Sequence, residues 1–123
     1  MAKKILVVDD DVDSLELYVI GLEEAGYQLH SARDGQEALV AARSFRPDLM
    51  VLDLSMPRMH GYEVVERIRA DAELKGTRIV VTSGKSFPVD IRTSQKVGAD
   101  RYMVKPIDVK ELARVIEEVL APR

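Results

Sequence analysis

The chain of 123 residues contains no cysteine, and this absence removes several kinds of chemistry. Without thiols there are no disulfide bonds, no thiolate nucleophile and no cysteine-ligated zinc or iron–sulfur centre. Positive charge is also in short supply, because 18 lysine and arginine residues face 21 aspartate and glutamate residues, for a net charge of −3. The basic field that attracts nucleic acid or an anionic membrane is missing, so we expect neither partner.

Long apolar runs are also lacking. The apolar stretch that follows Lys4 is too short for a signal-peptide core, and no other run approaches the length of a membrane span. The length suits one domain, residues 1–123, and a hydrophobic fraction of 46% with a charged fraction of 32% is ordinary for a globular protein. We therefore expect a soluble, cytoplasmic, single-domain protein.

Short runs rich in valine, isoleucine and leucine alternate with longer segments of helical period. This alternation is typical of β–α units that build a parallel sheet. The predicted strands are Lys4–Val8, Gln28–Ala32, Leu49–Asp53, Arg78–Thr82 and Arg101–Val104. The predicted helices are Val12–Ala25, Gly35–Ser44, Tyr62–Ala70, Pro88–Val97 and Asp108–Leu120. Right-handed crossovers then give a doubly wound α/β fold, with the more polar second strand at an edge.

The helical segments carry recognisable faces and caps. The first predicts a buried stripe of Leu15, Val19 and Leu22, and the last a stripe of Leu112, Ile116, Val119 and Leu120. Asp11 and Asp13 are predicted to cap and charge the first helix, as Asp34 and Asp108 do for two others. The two histidines, His30 and His60, have no matching catalytic partners, and we interpret them as strand and surface residues.

Polar side chains follow four of the predicted strands at the point where each strand ends. Asp9 and Asp10 follow the first, Asp53 ends the third, Thr82 and Ser83 end the fourth, and Lys105 follows the fifth. In open α/β sheets, ligands bind at the edge formed by the carboxyl ends of the strands. Carboxylates, a hydroxyl and an ammonium at that edge predict a site for a divalent metal ion and a phosphoryl group.

The same residues lie in motifs that resemble one known family, the CheY-like receiver domain of two-component response regulators. The resemblance covers the chain from Ile5 to about Leu120. It rests on the motifs Val7-Val8-Asp9-Asp10, Asp53-Leu54-Ser55-Met56-Pro57 with Gly61 following, Thr82-Ser83-Gly84, and Gly98-Ala99-Asp100 ahead of Tyr102 and Lys105-Pro106. It implies a flavodoxin-like (βα)5 fold with a five-stranded parallel sheet in the order 2-1-3-4-5.

By this resemblance Asp53 is the phosphoacceptor. The implied metal ligands are Asp9, Asp10, Asp53 and the backbone carbonyl of Ser55, with Asp10 the more direct ligand and Asp9 acting largely through water. The implied cofactor is Mg²⁺, with Mn²⁺ a possible substitute. Lys105 would pair with the phosphoryl oxygens as a point cation.

The resemblance also implies switch residues. Ser83 lies 30 positions after Asp53 and 22 before Lys105, and it precedes the small residue Gly84, so we predict that it carries the switch hydroxyl. Thr82 is the competing residue, and a share in that role stays open for it. Tyr102 matches the family's rotameric aromatic, which would move into space that Ser83 leaves and reshape the surface of the fourth helix, fifth strand and fifth helix.

Two further roles are implied. Ser55 and Lys85 occupy positions that tune how fast water attacks the aspartyl phosphate, and the Lys105–Pro106 peptide bond is expected to be cis. The implied partners are a histidine kinase or histidine phosphotransfer protein and a downstream protein target, with the chain monomeric or a phosphorylation-dependent dimer. Such a protein assists its own phosphorylation and dephosphorylation, but it is not a multiple-turnover enzyme.

Alternative functions differ in what they require. The chain could be the receiver portion of a larger regulator or hybrid kinase, which the sequence cannot distinguish from a stand-alone switch. A non-phosphorylated pseudo-receiver usually lacks an acidic ligand, the acceptor or the lysine, and none of these is missing here. A haloacid-dehalogenase-type phosphatase needs its nucleophile after the first strand and a cap domain, for which 123 residues leave no room.

Overall fold

The computed structural model describes residues 2–56, 59–84 and 88–122. Strands and helices alternate along the whole chain. The order is β1 (Lys4–Val8), α1 (Val12–Glu24), β2 (Gln28–Ala32), α2 (Gly35–Phe45), β3 (Leu49–Asp53), α3 (Gly61–Ala70), β4 (Arg78–Ser83), α4 (Pro88–Val97), β5 (Arg101–Val104) and α5 (Val109–Leu120).

The five strands form one parallel sheet in the order β2-β1-β3-β4-β5. This confirms the predicted doubly wound α/β fold and its strand order. The polar strand β2 lies at an edge, as expected, and its side chains are mostly exposed. Strand β4 extends one residue beyond the predicted end, because Ser83 still pairs with Val104 of β5.

Two apolar clusters cover the two faces of the sheet, because successive strand side chains point to opposite sides. The α3 face, packed by α2 and α3, includes Leu6, Met50, Leu52, Ile79, Val81, Val64 and Ile68. The α5 face, packed by α1 and α5, includes Ile5, Val7, Val51, Val80, Leu22, Leu112 and Ile116. The central strands are buried on both sides, which explains why they read as continuous apolar runs.

Two of the predicted helix faces need correction. In α1 the buried residues are Leu15, Tyr18 and Leu22, whereas Val19 is half-buried. The 3.6-residue period allows either position, and the larger Tyr18 side chain reaches the α5-face cluster. In α5 Val115 is buried and Leu120, in the last turn, is only half-buried.

Three helices begin at the capping residues predicted from the sequence. The Asp11 carboxylate accepts a hydrogen bond from the backbone N–H of Asp13 and caps α1. Asp34 and Asp108 cap α2 and α5 in the same way. Asp13 itself lies in the first turn, where a negative charge complements the helix dipole. In the described part of the chain, no helix is both long and apolar enough to cross a membrane.

Candidate functional site

Three aspartates meet at the carboxyl edge of the sheet. Asp9 follows β1, Asp53 ends β3, and each places an oxygen within 4.8 Å of the others and of Asp10. Asp9 and Asp53 are only 1% and 4% exposed, whereas Asp10 is exposed. Two buried carboxylates at this distance repel each other and have lost most of their hydration, so they require positive charge nearby.

Lys105 supplies that charge from the end of β5. Its Nζ lies 3.0 Å from Asp9 Oδ2 and 3.3 Å from Asp53 Oδ2. Burial by itself would lower the pKa of the Lys105 ammonium, but the hydrogen bond to Asp9 and the charge of Asp53 outweigh it and raise the pKa above its usual value. Lys105 is therefore charged and bridges the two buried carboxylates, 96 and 52 positions away from it in the sequence.

The two buried carboxylates are held in the same manner. Asp9 Oδ1 accepts the backbone N–H of Asp11 at 2.9 Å, and Asp53 Oδ1 accepts that of Ser55 at 3.1 Å. Each aspartate thus has one oxygen on a backbone N–H two residues later and the other turned toward Lys105. These contacts fix the orientation of both side chains before any ligand arrives.

The pKa of Asp53 reflects two opposing effects. Burial raises the pKa of its carboxyl above the ordinary value of 3.8, and the charge of Asp9 adds to that increase. The hydrogen bond from Ser55 and the Lys105 ammonium act in the opposite direction. The net increase means that the ionised form of Asp53 carries an electrostatic cost, which an added cation would relieve.

The donor set suits a hard divalent cation. All the candidate ligand atoms in the cluster are carboxylate oxygens, the type that Mg²⁺ and Mn²⁺ prefer. Within residues 2–56, 59–84 and 88–122, no hydrogen bond or ion pair engages the Asp10 carboxylate, so its oxygens face solvent at the rim of the cluster. The cluster can therefore hold such an ion from its exposed side.

The start of α3 is pressed against the end of β3. The backbone N–H of Gly61 donates to the carbonyl of Leu54 at 3.1 Å. A Cβ atom at Gly61 would lie 2.7 Å from Leu54 Cα, closer than real Cβ contacts come. Glycine at this position lets helix and strand approach, so the chain returns to the phosphoacceptor candidate within eight residues.

The two hydroxyl candidates of β4 lie on opposite faces. Ile79 and Val81 belong to the α3-face cluster and Val80 to the α5-face cluster, so Ser83 points to the α3 face and Thr82 to the α5 face. Both side chains are buried. Tyr102 of β5 also packs against the α3-face cluster. Ser83 therefore shares its face with Tyr102, and the switch role of either residue stays a prediction.

The sequence profile of the family described as "Response regulator receiver domain" matches residues 5–117. The chain belongs to the response regulator receiver family. Receiver domains are signalling modules rather than classical enzymes.

Two curated relatives and one solved structure resemble this chain and differ in length. The DNA-binding response regulator MtrA of Mycobacterium tuberculosis is 43% identical over 116 residues, which are 94% of this chain and 50% of MtrA. PhoP of Bacillus subtilis, an alkaline phosphatase synthesis transcriptional regulatory protein, is 37% identical over 98% of this chain and 49% of its own. The chemotaxis response regulator CheY4 of Vibrio cholerae superposes with a TM-score of 0.92 at 32% identity, covering 97% of this chain and 99% of CheY4.

The chain spans about half the length of MtrA and PhoP. MtrA is a DNA-binding response regulator, so the expected absence of nucleic-acid binding stays a prediction for this chain.

Among the remaining site predictions for this receiver domain, Ser55 is exposed beside Asp53 and its N–H is bound to Asp53, whereas the assigned role of its carbonyl stays a prediction. The peptide bond between Lys105 and Pro106 is cis. Lys85 lies outside the described residues. The predicted roles of Asp53, Ser83 and Tyr102 stay predictions, although the structure brings Asp9, Asp10, Asp53 and Lys105 together.

The structural roles of two residues near the site, His60 and Tyr62, were not predicted from the sequence. His60 caps α3, because its Nδ1 accepts the backbone N–H of Tyr62 at 3.1 Å, so it is more than a surface histidine. The Tyr62 hydroxyl donates to the carbonyl of Asp90 in α4, 28 positions away. The position of His60 directly before the apolar period of α3 is a capping signal, but the contact of Tyr62 with α4 has no signature in the sequence.

Proposed function

We propose that this receiver domain is a phosphorylation-dependent signalling switch in which Asp53 accepts a phosphoryl group from a phosphohistidine on a histidine kinase or histidine phosphotransfer protein. The observation that carries the proposal is the position of Lys105 between two buried carboxylates, with a third carboxylate at the exposed rim. A structural salt bridge needs one carboxylate per lysine, whereas this cluster has an acidic excess that suits a cation and a phosphoryl group.

The transfer step makes one bond and breaks one bond. An Asp53 carboxylate oxygen forms the bond to phosphorus, the P–N bond of the donor breaks, and the imidazole nitrogen keeps the electron pair. The hydrogen bond from Ser55 holds one Asp53 oxygen, which leaves Oδ2 as the atom that faces Lys105. Lys105 can follow the developing charge by turning from the carboxylates to the phosphoryl oxygens, since its ammonium has three donors on a flexible stem.

Asp9, Asp10 and Asp53, with the carbonyl of Ser55, would hold Mg²⁺, and Mn²⁺ would be a substitute. The bound cation would neutralise charge on the attacking carboxylate and on the phosphoryl oxygens. Asp9 has both oxygens engaged, by Asp11 and by Lys105, which supports a role through water, whereas the exposed Asp10 is suited to direct coordination.

The switch would run through Ser83 and Tyr102. A phosphoryl group on Asp53 attracts the Ser83 hydroxyl, and Tyr102, on the same face of the sheet, moves into the space that Ser83 leaves. Moving a two-state element from 1:99 to 99:1 needs about 5.5 kcal/mol of differential stabilisation. One hydroxyl, one lysine contact and one tyrosine supply a part of that, so we expect a partial shift that binding of the target protein completes.

The whole of residues 1–123 would act as one receiver domain. Because MtrA and PhoP are about twice as long, the alternative that this is the receiver portion of a larger regulator is retained. The output would be a protein–protein contact at the surface of α4, β5 and α5, either with a target or with a second copy after phosphorylation.

The test uses acetyl phosphate as a small-molecule donor with Mg²⁺, and intact-mass analysis as the readout. The expected result is one phosphoryl group per chain, lost in Asp53→Asn and in the presence of EDTA. Asp11→Asn is a matched control, because Asp11 is an exposed aspartate that caps α1, and it should still be labelled. No mass gain with any donor would favour the pseudo-receiver instead.

A further inference from the structure

Helix α4 is attached to α3 at two places, and the two attachments differ in strength. The stronger one is at the C-terminal end. Arg69 of α3 donates from Nε to the carbonyl of Gly98, the residue that follows α4, at 3.0 Å. The same guanidinium also binds the carbonyls of Lys75 and Thr77 and the carboxylate of Asp100, the last at 3.1 Å. The other three partners hold the guanidinium in place, so that its charge-assisted bond to Gly98 fixes this end of α4.

The weaker attachment is at the N-terminal end. The hydroxyl of Tyr62 donates to the carbonyl of Asp90, in the first turn of α4, at 2.9 Å. Burial raises the pKa of Tyr62, and the neighbouring Tyr102 and Asp90 raise it further, so the hydroxyl keeps its proton and remains a donor. A neutral hydrogen bond of this kind has a net value of about 0.5–1.5 kcal/mol, small enough to exchange during a conformational change.

Tyr62 is rigidly connected to the phosphoacceptor. It follows Gly61, whose N–H binds the carbonyl of Leu54 and whose Cα leaves no room for a side chain against that residue. Leu54 is the residue after Asp53. The first turn of α3 is therefore packed directly against the strand end that carries Asp53.

Asp90, by contrast, belongs to the part of the chain that follows the switch hydroxyl. Only four residues separate Ser83, the last residue of β4, from Pro88, the first of α4. Tyr62 and Tyr102 are electrostatic neighbours and pack against the same apolar cluster. The Tyr62–Asp90 hydrogen bond thus joins the element fixed to the phosphoacceptor with the element that a displacement of Ser83 and Tyr102 would pull.

We infer that the Tyr62–Asp90 hydrogen bond is a latch that holds the first turn of α4 in the unphosphorylated arrangement, while Arg69 fixes the opposite end as a pivot. This inference rests on the proposed function, because a latch on α4 has a role only if Asp53 is the switch input. Tyr62 is a positioning residue: it acts on the phosphorylated state through α4 and touches no reacting atom.

The test compares wild type with Tyr62→Phe, which removes the hydroxyl and keeps the ring. Beryllofluoride, a tetrahedral mimic of a phosphoryl group on a carboxylate, is titrated at saturating Mg²⁺ and followed by NMR. Losing a bond made only in the unbound state should tighten binding about 2- to 12-fold, the equivalent of one neutral hydrogen bond. Tyr27→Phe is the matched control, since Tyr27 packs on the α5 face, and it should leave the affinity unchanged.

Equal or weaker binding of beryllofluoride by Tyr62→Phe would overturn the latch. A variant that is only less stable than wild type, without binding more tightly, counts as this negative result. If wild type itself binds no beryllofluoride and takes no label from acetyl phosphate, the proposed function fails; if wild type binds and the variant matches it, the latch alone fails. A measurement on wild type avoids any folding defect. Amide exchange in the first two turns of α4 should accelerate when beryllofluoride binds, while the amide of Gly98 stays protected, and equal protection at both places would contradict the latch.

Discussion

The two edges of the sheet manage buried charge in opposite ways. At the amino edge, Asp100 accepts the backbone N–H of Ile79 at 2.7 Å and pairs with Arg69, which also donates to the backbone carbonyls of Lys75, Thr77 and Gly98. At the carboxyl edge, one lysine is shared by two buried carboxylates with a third at the rim. The first cluster balances one cation with one anion, and the second has an excess of negative charge. The difference separates a structural ion pair from a site prepared for ligands.

The largest expected effect comes from removing the shared cation. Lys105→Ala should slow labelling of Asp53 by acetyl phosphate about 10²-fold, since a preorganised positive group is lost from the site of developing charge. Initial rates by intact-mass analysis at saturating Mg²⁺ measure it. Lys110→Ala, on the exposed side of α5, serves as the control and should label normally. A rate within twofold of wild type for Lys105→Ala would refute the assigned role.

The next effect is on stability and tests the amino edge. Asp100→Asn removes the charge that faces Arg69, which is only a quarter exposed, and we expect the free energy of unfolding to fall by about 2 kcal/mol. The initial labelling rate should change less than twofold, because Arg69 still binds the carbonyl of Gly98. Urea denaturation measures the free energy of unfolding, and intact-mass analysis measures the initial labelling rate. A large loss of labelling with no loss of stability would contradict the claim that the Arg69–Asp100 pair is structural.

The smallest expected effect is a pH-dependent change in the free energy of unfolding, measured without metal, that arises from Asp53 at the carboxyl edge. Because burial raises the pKa of Asp53 in the folded state, the unfolded chain ionises this group first, and stability falls as pH rises through the ordinary value of 3.8 to the raised one. Asp53→Asn should therefore be more stable than wild type near pH 7, by about 1 kcal/mol, and the difference should vanish below pH 3.8. Thermal unfolding in EDTA across this range measures it, and a variant less stable at neutral pH would contradict the argument.

The sequence was most informative where one local rule controls the structure. Continuous apolar runs ending on aspartate predicted the central strands and the edge at which Asp9 and Asp53 meet, because the period of a strand and its burial are local properties. Asp11, Asp34 and Asp108 were predicted as caps for the same reason. The motif spacing added Lys105, whose contact with Asp9 spans 96 positions.

Contacts between elements far apart in the sequence were not predictable in this way. The Tyr62–Asp90 bond joins residues 28 positions apart, and the Arg69–Asp100 pair joins residues 31 apart. The first depends on how α3 packs beside α4, and the second on how α3 meets the start of β5. Both follow from the assembled sheet and not from either segment alone. The exchange of Val19 for Tyr18 on the buried face of α1 has the same origin, since neighbouring side chains decide which of two permitted positions is covered.

The central claim is that a phosphoryl group at Asp53 changes the carboxyl edge and leaves the amino edge unchanged. The most direct measurement is the amide chemical-shift difference of uniformly ¹⁵N-labelled protein with Mg²⁺, before and after addition of beryllofluoride, with Asp53→Asn as the control. We predict large shifts at the ends of β1, β3 and β4 and in the first turns of α4, small shifts at Ile79 and Asp100, and none in the Asp53→Asn variant. Shifts of equal size at both edges, or shifts that persist without Asp53, would contradict the account.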